Sequence, residues 1–348
     1  MNNMNKNISD RLSILNFILI AGVVYLHTPT YVEIENVANT PFELFKAFIQ
    51  HAVFRATVPV MACISGFLMF QSDLYQQPLK LWAKKARTIL VPFLVFNFAL
   101  LGAAYVAQLK FGVKLSTDLL NLDTKGWLSA AFGYSKTPIN YPLHFLRDII
   151  VLVVLSPVLG YFLRKAPWTG LATVTLIFIW NFDGLLIRSG EIALLFYIGG
   201  MAAMGKWNLR LLDGIAYPCV VAFFVLCVVI VALRWDSTLQ LSIVSPFLLW
   251  PVAGRLIDTK FGQWCIRMCH YSFFIYVAHA PVLFATWFVY GKMKSVVPYE
   301  VYWFAAPTFT IAFMVVAFNV LNKLVPNAFA FAVGGRTDAP RGAKLATA

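Results

Sequence analysis

Ten stretches of this sequence are each close to the length and apolarity of a helix that crosses a bilayer, which takes about 20 residues. They fall at 12–30, 53–72, 88–109, 143–163, 168–183, 190–205, 214–233, 239–257, 271–290 and 300–321, the fifth and sixth being the shortest. Of the 348 residues, 60% are hydrophobic and 12% charged, whereas a soluble domain has about 45–50% and about 25%. One core cannot hold that apolar excess, so it faces lipid. In lipid each backbone polar group needs an internal partner, which a helix supplies. The sequence therefore predicts an all-α polytopic membrane protein with about ten transmembrane helices. The membrane domain spans 1–325. Residues 326–348, ending in the small and polar "GGRTDAPRGAKLATA", read as a disordered cytoplasmic tail. No A-x-A-like cleavage site follows the first run, which reads as a retained helix.

If the helices alternate, one face collects Lys6 and Arg11, then Lys80, Lys84, Lys85 and Arg87, then Arg164 and Lys165. The same face takes Lys206, Arg210, Arg255, Lys260, Arg267, Lys323, Arg336, Arg341 and Lys344. Cytoplasmic loops carry the excess of Lys and Arg, so both termini are placed in the cytoplasm. The net charge of +13 then reads as topology and attraction to anionic headgroups; no motif that reads nucleic acid accompanies it. The five cysteines sit in apolar settings and suggest no disulfide framework. Cys265-x-x-x-Cys269-His270 offers three ligands without a partner pair, so no metal is expected. The chain lacks G-x-x-x-x-G-K-[ST], G-x-S-x-G and H-E-x-x-H, and with them a P-loop, a serine-hydrolase elbow and a zincin site.

Ionisable side chains inside spans are costly and mark cavities or partners. His27 closes the first run, "RLSILNFILIAGVVYLHTPTY". A neutral imidazole there can take a proton from a hydroxyl and return it; an interfacial histidine that meets water is the plain alternative. His51 and Arg55 open the second run, with Ser65-Gly66 deeper. Arg55 suits an oxyanion or an acid, or simply snorkels. Arg147 and Asp148 are adjacent and so diverge by about 100° on a helix. They are expected to find partners across helices, near His144, as catalytic groups or as a structural polar knot. His279 precedes Pro281 by two residues, and the carbonyl that Pro281 frees is a natural partner for it. The loop 110–142 carries Trp127, Tyr134, Asn140 and Tyr141, suited to sugars or to an interfacial aromatic belt. Residues 31–52 include an amphipathic "PFELFKAFIQHAVF" expected to lie along the interface. Lys84, Lys85 and Arg87 would hold phosphates of a nucleotide-like donor, although topology alone explains them.

The order of these fragments resembles the integral-membrane acyltransferase family 3. "LSILNFILIAGVVYLH" is similar to its first helix, "VPVMACISGFLMF" to its V-P-x-x-x-x-x-S-G-[FY] helix, and "KKARTILVPF" to its basic entry to helix three. "YPLHFLRDIIVLVVLSPVL" is similar to its Y-P-L-W-F-L-R-D segment and "HYSFFIYVAHAPVL" to its S-[FY]-x-[IV]-Y-x-x-H segment. The resemblance spans residues 11 to about 290. It implies a multi-pass O-acyltransferase of a bacterial inner membrane, moving an acyl group, often acetyl, from cytoplasmic acyl-CoA to a glycan or lipid-linked sugar beyond the outer face. Acyl-CoA would be a co-substrate with no bound cofactor, and a polysaccharide biosynthesis complex a partner. His27 takes the place of the family's catalytic histidine, assisted by Arg55, Arg147 and Asp148. Lys84, Lys85 and Arg87 take the place of the donor-side cluster, and Ser65, His144 and His279 line the cavity. The chain departs from the pattern at Asn16, where many members have arginine, and at His144, where an aromatic is usual. A polysaccharide transporter and a non-catalytic relative in an export complex remain open alternatives.

Overall fold

The computed structural model describes residues 6–113, 115–180, 186–236 and 239–337. Each of the ten apolar runs lies on a helix. Eight are long enough to span: α1 (Lys6–Leu26), α2 (Pro41–Phe70), α3 (Pro78–Phe111), α4 (Tyr141–Lys165), α7 (Asp213–Ala232), α8 (Leu239–Leu256), α9 (Lys260–Met293) and α10 (Tyr299–Leu324). Two are shorter, α5 (Pro167–Trp180) and α6 (Gly190–Met204). Residues 181–183 of the fifth run lie outside the described residues, as do Arg341 and Lys344 of the tail.

Contacts between helix ends fit strict alternation. At one end the Arg11 guanidinium grips both Asp213 carboxylate oxygens, at 2.7 and 2.5 Å. At the other, Arg234 donates to Ile34 O at 2.7 Å, and Thr30 N donates to the Tyr299 hydroxyl at 2.8 Å. Ser9 and Arg336, from the two ends of the described chain, line one cavity. Both described ends therefore share the face that gathers the basic loops, the inner face by the charge rule.

The core is built around α1, α2, α6 and α9. α2 and α6 approach until their backbones nearly touch. A Cβ on Gly66 would sit 1.9 Å from Phe196 O, and one on Gly199 would sit 2.0 Å from Cys63 O. Glycines at such a contact are the usual device for close helix packing in lipid, so Gly66 serves packing while its neighbour Ser65 faces the cavity.

Prolines in the spans remove N–H groups and leave carbonyls that side chains then satisfy. Pro157 leaves Val153 O, which accepts from Ser156 Oγ at 2.8 Å and Trp82 Nε1 at 3.3 Å. Pro281 leaves Val277 O. Its partner is Asn140 Nδ2 at 3.1 Å, not His279 as the sequence suggested, because His279 turns back to its own preceding turn.

The amphipathic segment 41–54 is not a separate helix but forms the first turns of α2. It starts at Pro41, with Thr40 Oγ1 accepting from Glu43 N at 3.3 Å, and passes through a π turn (Phe48–Ala52) and a 3-10 turn (Val53–Ala56) into the regular part of α2 (Thr57–Phe70). These irregular turns carry His51 and Arg55. At the other end of the chain, residues 326–332 form a short helix (Pro326–Ala332) with Phe329 buried against Phe274 and Phe318. Membrane-domain packing thus extends past residue 325, because aromatic residues follow α10 and have a core to join.

Candidate active site

Parallel packing of α1 and α9 sets the site. Asn16 Nδ2 lies 3.6 Å from Cys269 Sγ, and about three turns further along the pair His27 and His279 come near each other. Their ring centroids are 5.7 Å apart and their planes 18° apart. His27 sits just past the last turn of α1, where its N–H reaches Val23 O at 3.1 Å. The Tyr141 ring stands nearly perpendicular to it, with centroids 4.7 Å apart.

An outer cavity of about 410 Å³ is lined by His27, Tyr31, Arg55 and Tyr141, with Leu26, Thr28 and Pro29. Arg55 Nη2 donates to the Tyr31 hydroxyl at 2.7 Å, and the guanidinium lies over the Tyr31 ring. Tyr31 and Tyr141 are 52% and 40% exposed, so the cavity opens at the outer surface. His27 and Arg55 are therefore brought together, as the sequence reading expected. Tyr31 was missed, since an aromatic three residues after Thr28 carries no signal beyond its nearness to His27.

An inner cavity of about 580 Å³ is lined by Ser13, Asn16, Ser65, Lys85, Tyr276 and Arg336, among others. Lys85 and Arg336 are the charged groups of that lining, beside His270. Ser65 is thus cavity-lining as expected. Lys84 and Arg87 are exposed and stand outside the lining, because a helix aims only one member of a consecutive cluster at any one direction.

The two cavities share no lining residue. On α1 the inner one reaches Ile20 and the outer one begins at Leu26, a septum of about 9 Å at 1.5 Å per residue. His279 lies in it, fully buried. Its Nδ1 is 2.8 Å from Tyr276 O and 3.1 Å from Ile275 O, which assigns the proton to Nδ1 and leaves Nε2 an acceptor. Nε2 has no hydrogen-bond partner among the described residues. Tyr276, on the same turn, walls the inner cavity and donates to Pro142 O at 2.7 Å.

The remaining candidates lie elsewhere. Arg147 and Asp148 do pair, Nη1 to Oδ1 at 2.9 Å, because the long arginine side chain curls back over the 100° divergence. Asp148 also accepts from the backbone N–H of Arg188 and Ser189 at 3.2–3.3 Å, and Arg147 donates to Leu186 O at 2.5 Å. Ser189 precedes the first turn of α6, so a carboxylate there meets the positive end of that helix. Together they clamp the segment before α6 and do not line the outer cavity. His144 Nδ1 lies 2.9 Å from Tyr141 O, also outside both linings. Asn140, read as a sugar contact, is buried: besides Val277 O it reaches Asn97 Oδ1 through its N–H at 3.0 Å.

An imidazole pair with one ring on the outer cavity and the other buried beneath it, an arginine beside the outer ring and a cation-rimmed inner cavity suit transfer of a group between a charged inner ligand and an outer hydroxyl. The profile of the acyltransferase domain family, acyltransferase 3, matches residues 10–321. The chain belongs to this family. It is a multi-pass membrane protein of acyltransferase type. It is 30% identical to the succinoglycan biosynthesis protein ExoH of Rhizobium meliloti (strain 1021), over 97% of this chain and 95% of that one. No solved structure matches it significantly.

Proposed function

We propose that this acyltransferase 3 member moves an acetyl group from cytoplasmic acyl-CoA to a hydroxyl of an exopolysaccharide or other envelope glycan, in a bacterial inner membrane. The relative's role in succinoglycan biosynthesis supports a polysaccharide acceptor, the basic rim of the inner cavity supports an anionic thioester donor, and a glycan complex is a natural partner. The observation that carries the reading is the position of His27: it faces the outer cavity, 5.7 Å from the His279 ring whose helix turn walls the inner one.

His27 takes the proton of the sugar hydroxyl, and the oxygen attacks the thioester carbonyl. Arg55 faces the developing oxyanion. The C–S bond breaks and the CoA thiolate leaves with a proton. The septum favours a two-step form of this chemistry. His27 first takes the acyl group as an N-acylimidazole while the C–S bond breaks and CoA leaves as the thiol with the imidazole proton; the hydroxyl oxygen then attacks the carbonyl, the N–C bond breaks and the hydroxyl proton returns to the imidazole. Either form requires the septum to open far enough for the pantetheine arm. Expressed at wild-type level, His27→Ala and His27→Gln proteins are expected to leave the glycan without its ester by NMR; full acylation would overturn the proposal. A transporter would instead move glycan with no acetyl-CoA consumed.

A further inference from the structure

Between the end of α10 and the last described residue, the chain folds back onto the inner cavity, and Arg336 enters its lining. Gly334 and Gly335 have φ of +66° and +80°, a conformation open to glycine and costly for other residues. A Cβ on Gly334 would lie 2.8 Å from Thr88 O, so this turn also needs the missing side chain. The turn delivers Arg336 to three fixtures. Its Nη1 donates to Thr88 O at 2.6 Å and to Val333 O at 3.2 Å, and its guanidinium stacks 3.8 Å above the Phe273 ring. Thr88 O is the carbonyl that Pro92 cannot serve. Burial pushes the Arg336 pKa down to about 10, so it remains charged at neutral pH. Lys85 lines the same cavity.

A stacked, hydrogen-bonded cation held beside a second cation is costly in a neutral cavity and favourable toward an anion. Two bonds at Nη1 leave most of the five guanidinium N–H donors for a ligand. On the donor reading given above, we infer that the segment after α10 completes the donor site and that Arg336 binds the phosphate groups of acyl-CoA. Residue 336 lies beyond the region matched by the family profile, 10–321.

The test uses the full-length protein in detergent, with CoA binding by calorimetry and transfer from acetyl-CoA or acetyl-pantetheine, which lacks the phosphates. Arg336→Ala is expected to weaken CoA about ten-fold, the scale of one charged hydrogen bond, with Arg336→Lys between. Gly334→Val, which displaces the turn and keeps the arginine, is expected to act like Arg336→Ala. Transfer from acetyl-pantetheine should be equal in wild type and Arg336→Ala. Unchanged CoA affinity in a folded Arg336→Ala protein overturns the inference, as does equal loss with both donors. If the wild type binds no CoA at all, the donor reading falls and this inference with it.

Discussion

His27 and His279 lie on parallel helices with ring centroids 5.7 Å apart, one facing the outer cavity and the other sealed in the septum beneath it. Burying an acceptor without a partner costs about 1–3 kcal/mol, so His279 Nε2 is an expensive feature of this core. It repays that cost if a transferring group or the His27 N–H meets it during turnover.

His279→Asn keeps a polar group near Nδ1 and removes Nε2, whereas His279→Gln places an amide near Nε2. The asparagine variant is predicted to keep wild-type thermal stability and lose kcat about ten-fold or more, the low end of a proton-transfer contribution. The glutamine variant should recover part of kcat, with the acceptor KM little changed. Equal loss of stability and activity in both would mark His279 as a packing residue only.

Arg55 is held by the Tyr31 hydroxyl at 2.7 Å, which fixes its guanidinium beside His27. Loss of an oxyanion donor costs about 10²–10³ in kcat. Arg55→Ala is predicted to fall in that range, and Tyr31→Phe to fall less, because it frees the guanidinium without removing it. Steady-state kinetics on purified proteins decide this. A KM effect alone would make Arg55 an acceptor contact.

Asp148 is fully buried and joins the Arg147 guanidinium to two backbone N–H groups before α6. Breaking one side of a buried pair costs about 3–5 kcal/mol. Asp148→Asn and Asp148→Ala should therefore lower the thermal midpoint and the yield, while protein that remains folded keeps kcat within a few-fold. A stable Asp148→Asn protein with no activity would return this residue to the chemistry.

The spans were legible because length and apolarity are written residue by residue, and His27, Arg55 and Ser65 because polar groups in such runs need a cavity. Less local facts were not. The Arg147–Asp148 pair depends on how a long side chain curls, which an ideal helical wheel leaves out. Asn140 was read as a sugar contact because nothing in its loop announced the Val277 carbonyl that Pro281 leaves open. Arg336 looked like one more tail charge. The Gly334-Gly335 pair before it was the available sign of a turn, but its destination, Thr88 O beside Pro92, lies 248 residues away in sequence. The single hollow expected around His27 is two cavities, since a sequence shows which residues are polar and not where packing closes a septum.

His27 is the group on which the transfer depends, as base toward the hydroxyl or as carrier of the acyl group. The most direct test is a single-turnover experiment with purified protein, acetyl-labelled acetyl-CoA and the glycan acceptor, following CoA thiol release and label on the glycan together. The account predicts both signals for wild type and neither for His27→Gln at equal folded concentration. Labelled glycan formed by His27→Gln at the wild-type rate would contradict it.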